Sequence, residues 1–189
     1  MRNVTVGEIM VPLSEYAAVN EDATLMDAVL ALEKAQQEFD GSRYRHRAVV
    51  VLNPAGKVVG KISQMDVLRA LEPKYQEMQG SQGMAHLGFT RNFMKQMFRT
   101  FSFWDHPMDD ICRKGCERKV KDFMYTPKEG EYVEENTTMD EAIHQLVMGS
   151  HQSLLVTKGE SAVGILRLTD VFSFVVKNLK NCSIQTCSS

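Results

Sequence analysis

Ser63 and Asp66, three positions apart, are the pair in this sequence best placed to hold a ligand. They follow the run Lys57-Val58-Val59-Gly60-Lys61-Ile62 and open a helical stretch. A hydroxyl at a strand-to-helix turn sits beside backbone N–H groups that have no partner within the helix, and these favour anions. A carboxylate three residues on can accept bonds from two vicinal hydroxyls. The combination suits a ribose and its phosphate. The same spacing also suits a capping box, with Asp66 replacing the usual Glu or Gln. Spacing alone leaves both readings open.

A second aspartate stands in similar surroundings. Gly164-Ile165-Leu166-Arg167-Leu168-Thr169-Asp170-Val171 echoes Gly60 to Val67, with Arg167 where Ser63 stands and Asp170 where Asp66 stands. A guanidinium can hold phosphate bidentately. Equally, Arg167 can pair with Asp170 and leave that place empty. The densest positive charge is Arg43-Tyr44-Arg45-His46-Arg47, read either as a solvated loop or as a phosphate clamp. His46 and His151 occupy matching places and suit structural roles better than catalysis. Cys112 and Cys116 with His106 match no common zinc spacing. No Ser-His-Asp order, Gly-rich phosphate loop or acid–base carboxylate pair is evident, so no catalytic residue and no metal site is assigned.

These residues belong to a duplication. Val6-Gly7-Glu8-Ile9-Met10 returns as Val120-Lys121-Asp122-Phe123-Met124, and Thr24 to Val29 returns as Thr138 to Ile143. Both share one offset, since 124 − 10 and 138 − 24 each give 114. The Gly60 and Gly164 segments differ by 164 − 60 = 104, so the first copy has the longer middle. Each copy reads as helix, strand, strand, helix. In the first, Leu25, Ala28, Val29 and Leu32 give a helix over 23–37, capped by Asp22 or Thr24. Strands follow at 48–52 and 57–62 around the Asn53-Pro54-Ala55-Gly56 turn, then a helix at 66–71 before Pro73. The second predicts a helix over 138–148, strands at 153–156 and 162–166, and a helix over 171–179.

Between the copies, Phe89, Phe93, Met94, Met97, Phe98 and Phe101 recur at helical spacing, followed by Phe103-Trp104. This predicts a helix that packs on its own core or serves as a subunit or effector interface. The organisation expected is a first repeat at 1–73, a helical insertion at 74–118, a second repeat at 119–180 and a disordered tail at 181–189. A repeat of about 60 residues is marginal alone, so the two should form one cooperative unit with two similar clefts.

Composition narrows the class. The 189 residues carry a net charge of −2, without the basic field of a nucleic-acid binder. No run approaches the roughly 20 apolar residues of a membrane span, and the N-terminus reads as no signal peptide. The expectation is a cytoplasmic protein with no membrane partner, whose four cysteines are free thiols.

The two copies together resemble the tandem cystathionine-β-synthase-type (CBS) domain pair, or Bateman module. The residues that carry the likeness are Val6 to Pro12 with Gly60 to Val67, and Val120 to Pro127 with Gly164 to Val171. The resemblance implies an α+β fold, two repeats packed sheet to sheet about a pseudo-twofold axis with a helical insertion, and commonly a homodimer. It implies a non-catalytic regulatory module whose clefts bind adenosine compounds such as AMP, ADP, ATP or a related adenosyl compound such as S-adenosylmethionine. Carried over, Met10, Val11 and Pro12 line the base in the first cleft, Asp66 holds the ribose, and Ser63 the phosphate, with Arg47 in reach. Met124, Pro127, Arg167 and Asp170 are the counterparts in the second. With no effector domain in the sequence, the regulated partner is expected to be a separate chain. The alternative is a structural interaction module with empty clefts, working through the Phe/Met helix.

Overall fold

A computed structural model of the chain describes residues 3–37, 48–72, 74–75, 90–105 and 108–186, with side chains up to 180. Each repeat builds a small sheet from one parallel and one antiparallel pairing. In the first, β2 (Ala18–Asn20) runs parallel to β3 (Ala48–Leu52), which pairs antiparallel with β4 (Val58–Ser63). In the second, β5 (Tyr132–Glu134) is parallel to β6 (Ser153–Lys158), which is antiparallel to β7 (Ser161–Arg167). Helices α2 (Leu25–Gln37) and α3 (Gln64–Leu71) flank the first sheet, as α6 (Met139–Met148) and α7 (Leu168–Thr186) flank the second. The α+β architecture and the duplicated plan are as expected.

Helix starts follow local chemistry. Thr24 caps α2, donating its hydroxyl to Asp27 Oδ2 at 2.8 Å and accepting from Asp27 N at 3.1 Å. Asp22, the other candidate, instead meets Lys121 at 2.7 Å. Ser63 caps α3, which therefore begins at Gln64 rather than Asp66. The tail expected to be disordered continues α7 as helix to Thr186.

The repeats are interlocked. Helix α1 (Val6–Ile9) and β1 (Val11–Pro12), at the start of the first copy, join the second copy's sheet, in the order β1-β7-β6-β5. Val11 faces Ile165, and the N–H groups of Val6 and Gly7 donate to the carbonyls of Thr137 and Glu135. The second copy's opening does the same in reverse. Tyr125 bridges to Lys61, and Val120 and Lys121 donate to Ala23 and Glu21. Accordingly Val6 is buried with Val133, Met139 and Leu166, while Val120 is buried with Ala28, Val51 and Ile62. A third cluster, Val11, Tyr16, Val50, Leu155 and Ile165, lies between the two sheets. Each compact unit thus takes its first segment from the other copy.

The repeated Gly and Met explain the exchange. A Cβ on Gly60 would lie 2.6 Å from Met124 Sδ, and one on Gly164 would lie 2.5 Å from Met10 Sδ and 2.7 Å from the Val11 carbonyl oxygen. Glycine in a strand interior marks close approach of another backbone. Here it admits the other copy's Met segment.

In the insertion, α4 (Arg91–Phe101) follows a Thr90 cap, and α5 (Met108–Glu117) packs against α2 and α3. Glu72, buried at the end of α3, accepts from Trp104 N at 2.7 Å and Lys74 N at 3.3 Å. Phe103 is buried and stacks on Tyr75 at 4.7 Å.

Candidate nucleotide clefts

The exchange regroups the expected site residues. Met10, Val11 and Pro12 lie against Gly164 and Ile165 of β7, the strand that leads into Arg167 and Asp170, and do not pair with the β4 strand of their own copy. Met124 lies instead on Gly60. Pro127 lines the cleft that opens beside β4, together with Gly60, Lys61, Glu131 and residues of both sheets. About 280 Å³ of space lies within it, open solvent at its mouth included, and neither Ser63 nor Asp66 is among its lining residues. Arg47, with the rest of the Arg43–Arg47 cluster, falls outside the described residues.

In the first cleft, Asp66 Oδ2 accepts from Ser63 N at 2.9 Å and from Ser63 Oγ at 2.6 Å, while Ser63 Oγ accepts from Asp66 N at 3.3 Å. The capping box is therefore formed. It occupies only one carboxylate oxygen. Oδ1 keeps a 3.4 Å contact with Arg69, whose side chain is 43% exposed. The carboxylate can cap the helix and still accept from a ligand. Ser63 cannot serve phosphate in the same state, because its proton is already given to Asp66.

Three residues beside this pair were not legible as site residues. Lys61, on the same face of β4 as Ser63, meets Glu131 Oε2 at 2.6 Å, and Tyr125 OH donates to Glu131 Oε1. The Lys61 ammonium lies 5.1 Å from the Tyr125 ring centre. Glu131 is buried, at 3% exposure. Burial alone would raise its pKa. The bonds from Lys61, Tyr125 and the Lys128 N–H outweigh that and hold it below the usual 4.5. Tyr125 is pushed up to about 12, first by its bond to Glu131 and then by burial. Lys61 and Glu131 are 70 residues apart, and only the interlock brings them together. The one signal in the sequence was a lone Lys among the apolar residues of β4.

Because Glu131 is depressed in the folded state, its stabilisation is complete above its unfolded pKa, near 4.5, and is lost as pH falls through the lower folded value. Glu131→Gln should therefore flatten the acid limb of stability below about pH 4.5. Urea midpoints measured across that range for both proteins check this; parallel curves would remove Glu131 from the acid response.

At the matching turn of the second copy, the two polar residues pair with each other. Arg167 Nε and Nη2 reach Asp170 Oδ2 and Oδ1 at 2.5 and 2.6 Å. Both side chains are largely buried, at 7% and 12% exposure. Of the two roles open to Arg167, the ion pair is the one formed. Tyr16 is buried nearby and pushed up to about 12, chiefly by desolvation, with Arg167 lowering and Asp170 raising it. Elsewhere, Cys112 and Cys116 are exposed free thiols on α5, and His106 falls outside the described residues. No group of His, Cys, Asp and Glu among the described residues could hold a metal ion. None of the described helices is long and apolar enough to cross a membrane.

A duplicated β-β-α frame with exchanged openings defines a paired-repeat module. The CBS domain model matches residues 6–73 and 120–177, and the chain belongs to that family. Among curated proteins, none matches. The fold is similar to CBSX2 in complex with AMP (18% identity, 92% of this chain and 97% of that one, TM-score 0.56). It is similar to the CBS domain of a bacterial CNNM/CorC family Mg2+ transporter in complex with ATP (18%, 93% and 89%, TM-score 0.59). It also resembles a CBS domain-containing protein of unknown function from Kribbella flavida (16%, 92% and 98%, TM-score 0.61). At these identities the likeness establishes the fold.

Proposed function

We propose that this protein is a non-catalytic regulatory module that binds one adenine nucleotide, AMP, ADP or ATP, in the cleft beside β4 lined by Lys61, Pro127 and Glu131 and extending to Asp66 at the following strand-to-helix turn. The observation that carries this is the contrast between the two clefts. Asp66 keeps an oxygen for ribose, whereas both oxygens of Asp170 are held by Arg167. Two solved structures of similar fold contain AMP and ATP, which supports the ligand class. In this reading Asp66 Oδ1 accepts from the ribose, and Lys61 supplies the cation for phosphate in place of the engaged Ser63 hydroxyl.

Phosphate at Lys61 competes with Glu131 for the ammonium. Binding is thereby felt in the 125–131 segment that joins the two units, and a separate partner reads the altered arrangement. Leu68 and Phe172, equivalent positions on α3 and α7, are 49% and 60% exposed, as are Met65 and Leu179 at 56% and 60%. These helices form the homodimer face in this reading, in a cytoplasmic protein. Sedimentation equilibrium tests the dimer, and a monomer at every concentration removes it.

A ligand that binds only the native state stabilises it by about 2.7 kcal/mol at a hundredfold excess over Kd. For a chain of this size that is a rise of roughly 5–10 °C in Tm. Thermal melts with AMP, ADP and ATP should show this for at least one of the three. No shift with any adenine compound would leave the interaction-module reading, with empty clefts, as the better account.

A further inference from the structure

Helix α4 has five Phe or Met among its eleven residues, yet none of its side chains is buried. Phe93 and Met97 are half-buried toward the body of the protein. Met94, Phe98 and Phe101, at i, i+4 and i+7, share a face that stays 51%, 57% and 42% exposed. Beside that strip runs a second one. Arg91, Lys95 and Arg99, at i, i+4 and i+8, are exposed, the helix contains no acidic residue, and none of the three has an acidic partner among the described residues. The chain as a whole carries −2, so the positive charge here is local. Trp104, just beyond the helix, is 36% exposed and donates its indole N–H to Tyr75 OH at 3.1 Å.

We infer that α4 is a docking surface for an anionic lipid bilayer, lying in its interface with Phe98 and Phe101 toward the acyl region and the basic strip at the headgroups. A polar helix with a strong apolar face, cations on its polar side and aromatic residues on the other binds in this way. No membrane span is needed. The basic strip, without acidic partners among the described residues and alongside the apolar one, matches an anionic interface in charge, and α4 is held in place to present it. Its far end is fixed by the buried Phe103, 6.4 Å from the Phe98 ring and 5.8 Å from that of Phe101, and by the Trp104–Glu72 bond. The inference is independent of nucleotide binding, because none of these residues lines the cleft beside β4.

The test is flotation of the full chain with vesicles of phosphatidylcholine alone and of phosphatidylcholine mixed with phosphatidylserine, at low and high salt. Wild type should float with the anionic vesicles at low salt, weakly at high salt, and not with the neutral ones. Replacing Arg91, Lys95 and Arg99 together with Gln should lower partitioning on the order of a hundredfold. Phe98→Ser with Phe101→Ser should lower it too. The Arg91/Lys95/Arg99 variant, at exposed positions with no ring contact, should leave the thermal melt near wild type, which separates lost docking from lost fold, whereas the Phe98/Phe101 variant also loses the contacts to Phe103 and counts only if its melt is unchanged. If wild type floats with neither vesicle at low salt, the inference is overturned. If polyglutamate binds as well as the anionic vesicles and the Phe98/Phe101 variant is unaffected, α4 is a charge patch for acidic chains, and the inference is again overturned.

Discussion

Asp170→Ala is expected to lower the unfolding free energy by about 3–5 kcal/mol, because it strands a buried guanidinium. The two bonds between Arg167 and Asp170 are short, and Arg167 is 6% exposed at the end of β7. Removing the carboxylate leaves a cation that water reaches poorly. Asp66→Ala, at the matching place, removes a capping box and a long contact with a solvated Arg69. Loss of such a cap costs only about 0.5–2 kcal/mol. Denaturant unfolding of the two single variants measures the difference. Replacing Arg167 and Asp170 together with Met and Leu should recover most of the loss, since an apolar pair of similar volume removes the stranded charge with its partner. Equal effects of Asp66→Ala and Asp170→Ala would mean that Arg167 finds enough water without Asp170, and the second cleft would not be closed by a buried pair.

The contrast between Ser63 and Arg167 was legible in the sequence, but its outcome was not. Arg-x-x-Asp admits a guanidinium turned toward a ligand or toward its own carboxylate, and only the burial of both groups decides between them. The capping box at Ser63 was legible, because a residue and its partner three positions on report on each other locally. The strands of each repeat were legible for the same reason, through β-branched runs broken by turn residues.

The interlock was not. It rests on a two-residue strand, Val11–Pro12, and one isolated bridge, Lys61 to Tyr125, which are too short to carry a period. Chain proximity therefore grouped Met10 to Pro12 with β4, whereas Val11 and Pro12 pair with β7. The glycine inside each last strand was the available clue, since nothing else in those strands calls for a missing side chain. The Lys61–Tyr125–Glu131 group could not be foreseen once the interlock was missed. The tail composition suggested disorder, whereas helix α7, already nucleated by the Val171–Leu179 segment, extends through Thr186 at little further entropic cost.

The same asymmetry makes a separate statement about binding. Asp66→Ala should weaken adenine-nucleotide affinity by on the order of 10–100-fold, the loss of one or two hydrogen bonds to a charged group. Asp170→Ala should leave affinity for the first cleft within about threefold wherever the variant is folded, since distant, independent sites are close to additive. Isothermal titration below the melting point of each variant reads both values and the stoichiometry, expected to be one nucleotide per chain. The prediction opposes the stability result by design: the aspartate that matters most for folding should matter least for binding. That opposition follows from the electrostatics of the two carboxylates. A carboxylate whose two oxygens are held by a buried guanidinium has already spent its acceptors inside the protein, and ribose would have to displace a fork of two charged bonds with neutral hydroxyls. A carboxylate that uses one oxygen for a helix cap keeps the other for the ligand, and the ligand need displace only a solvated arginine. If Asp170→Ala abolished binding and Asp66→Ala did not, the nucleotide would have to open the Arg167 pair, and the assignment of the working cleft would be reversed.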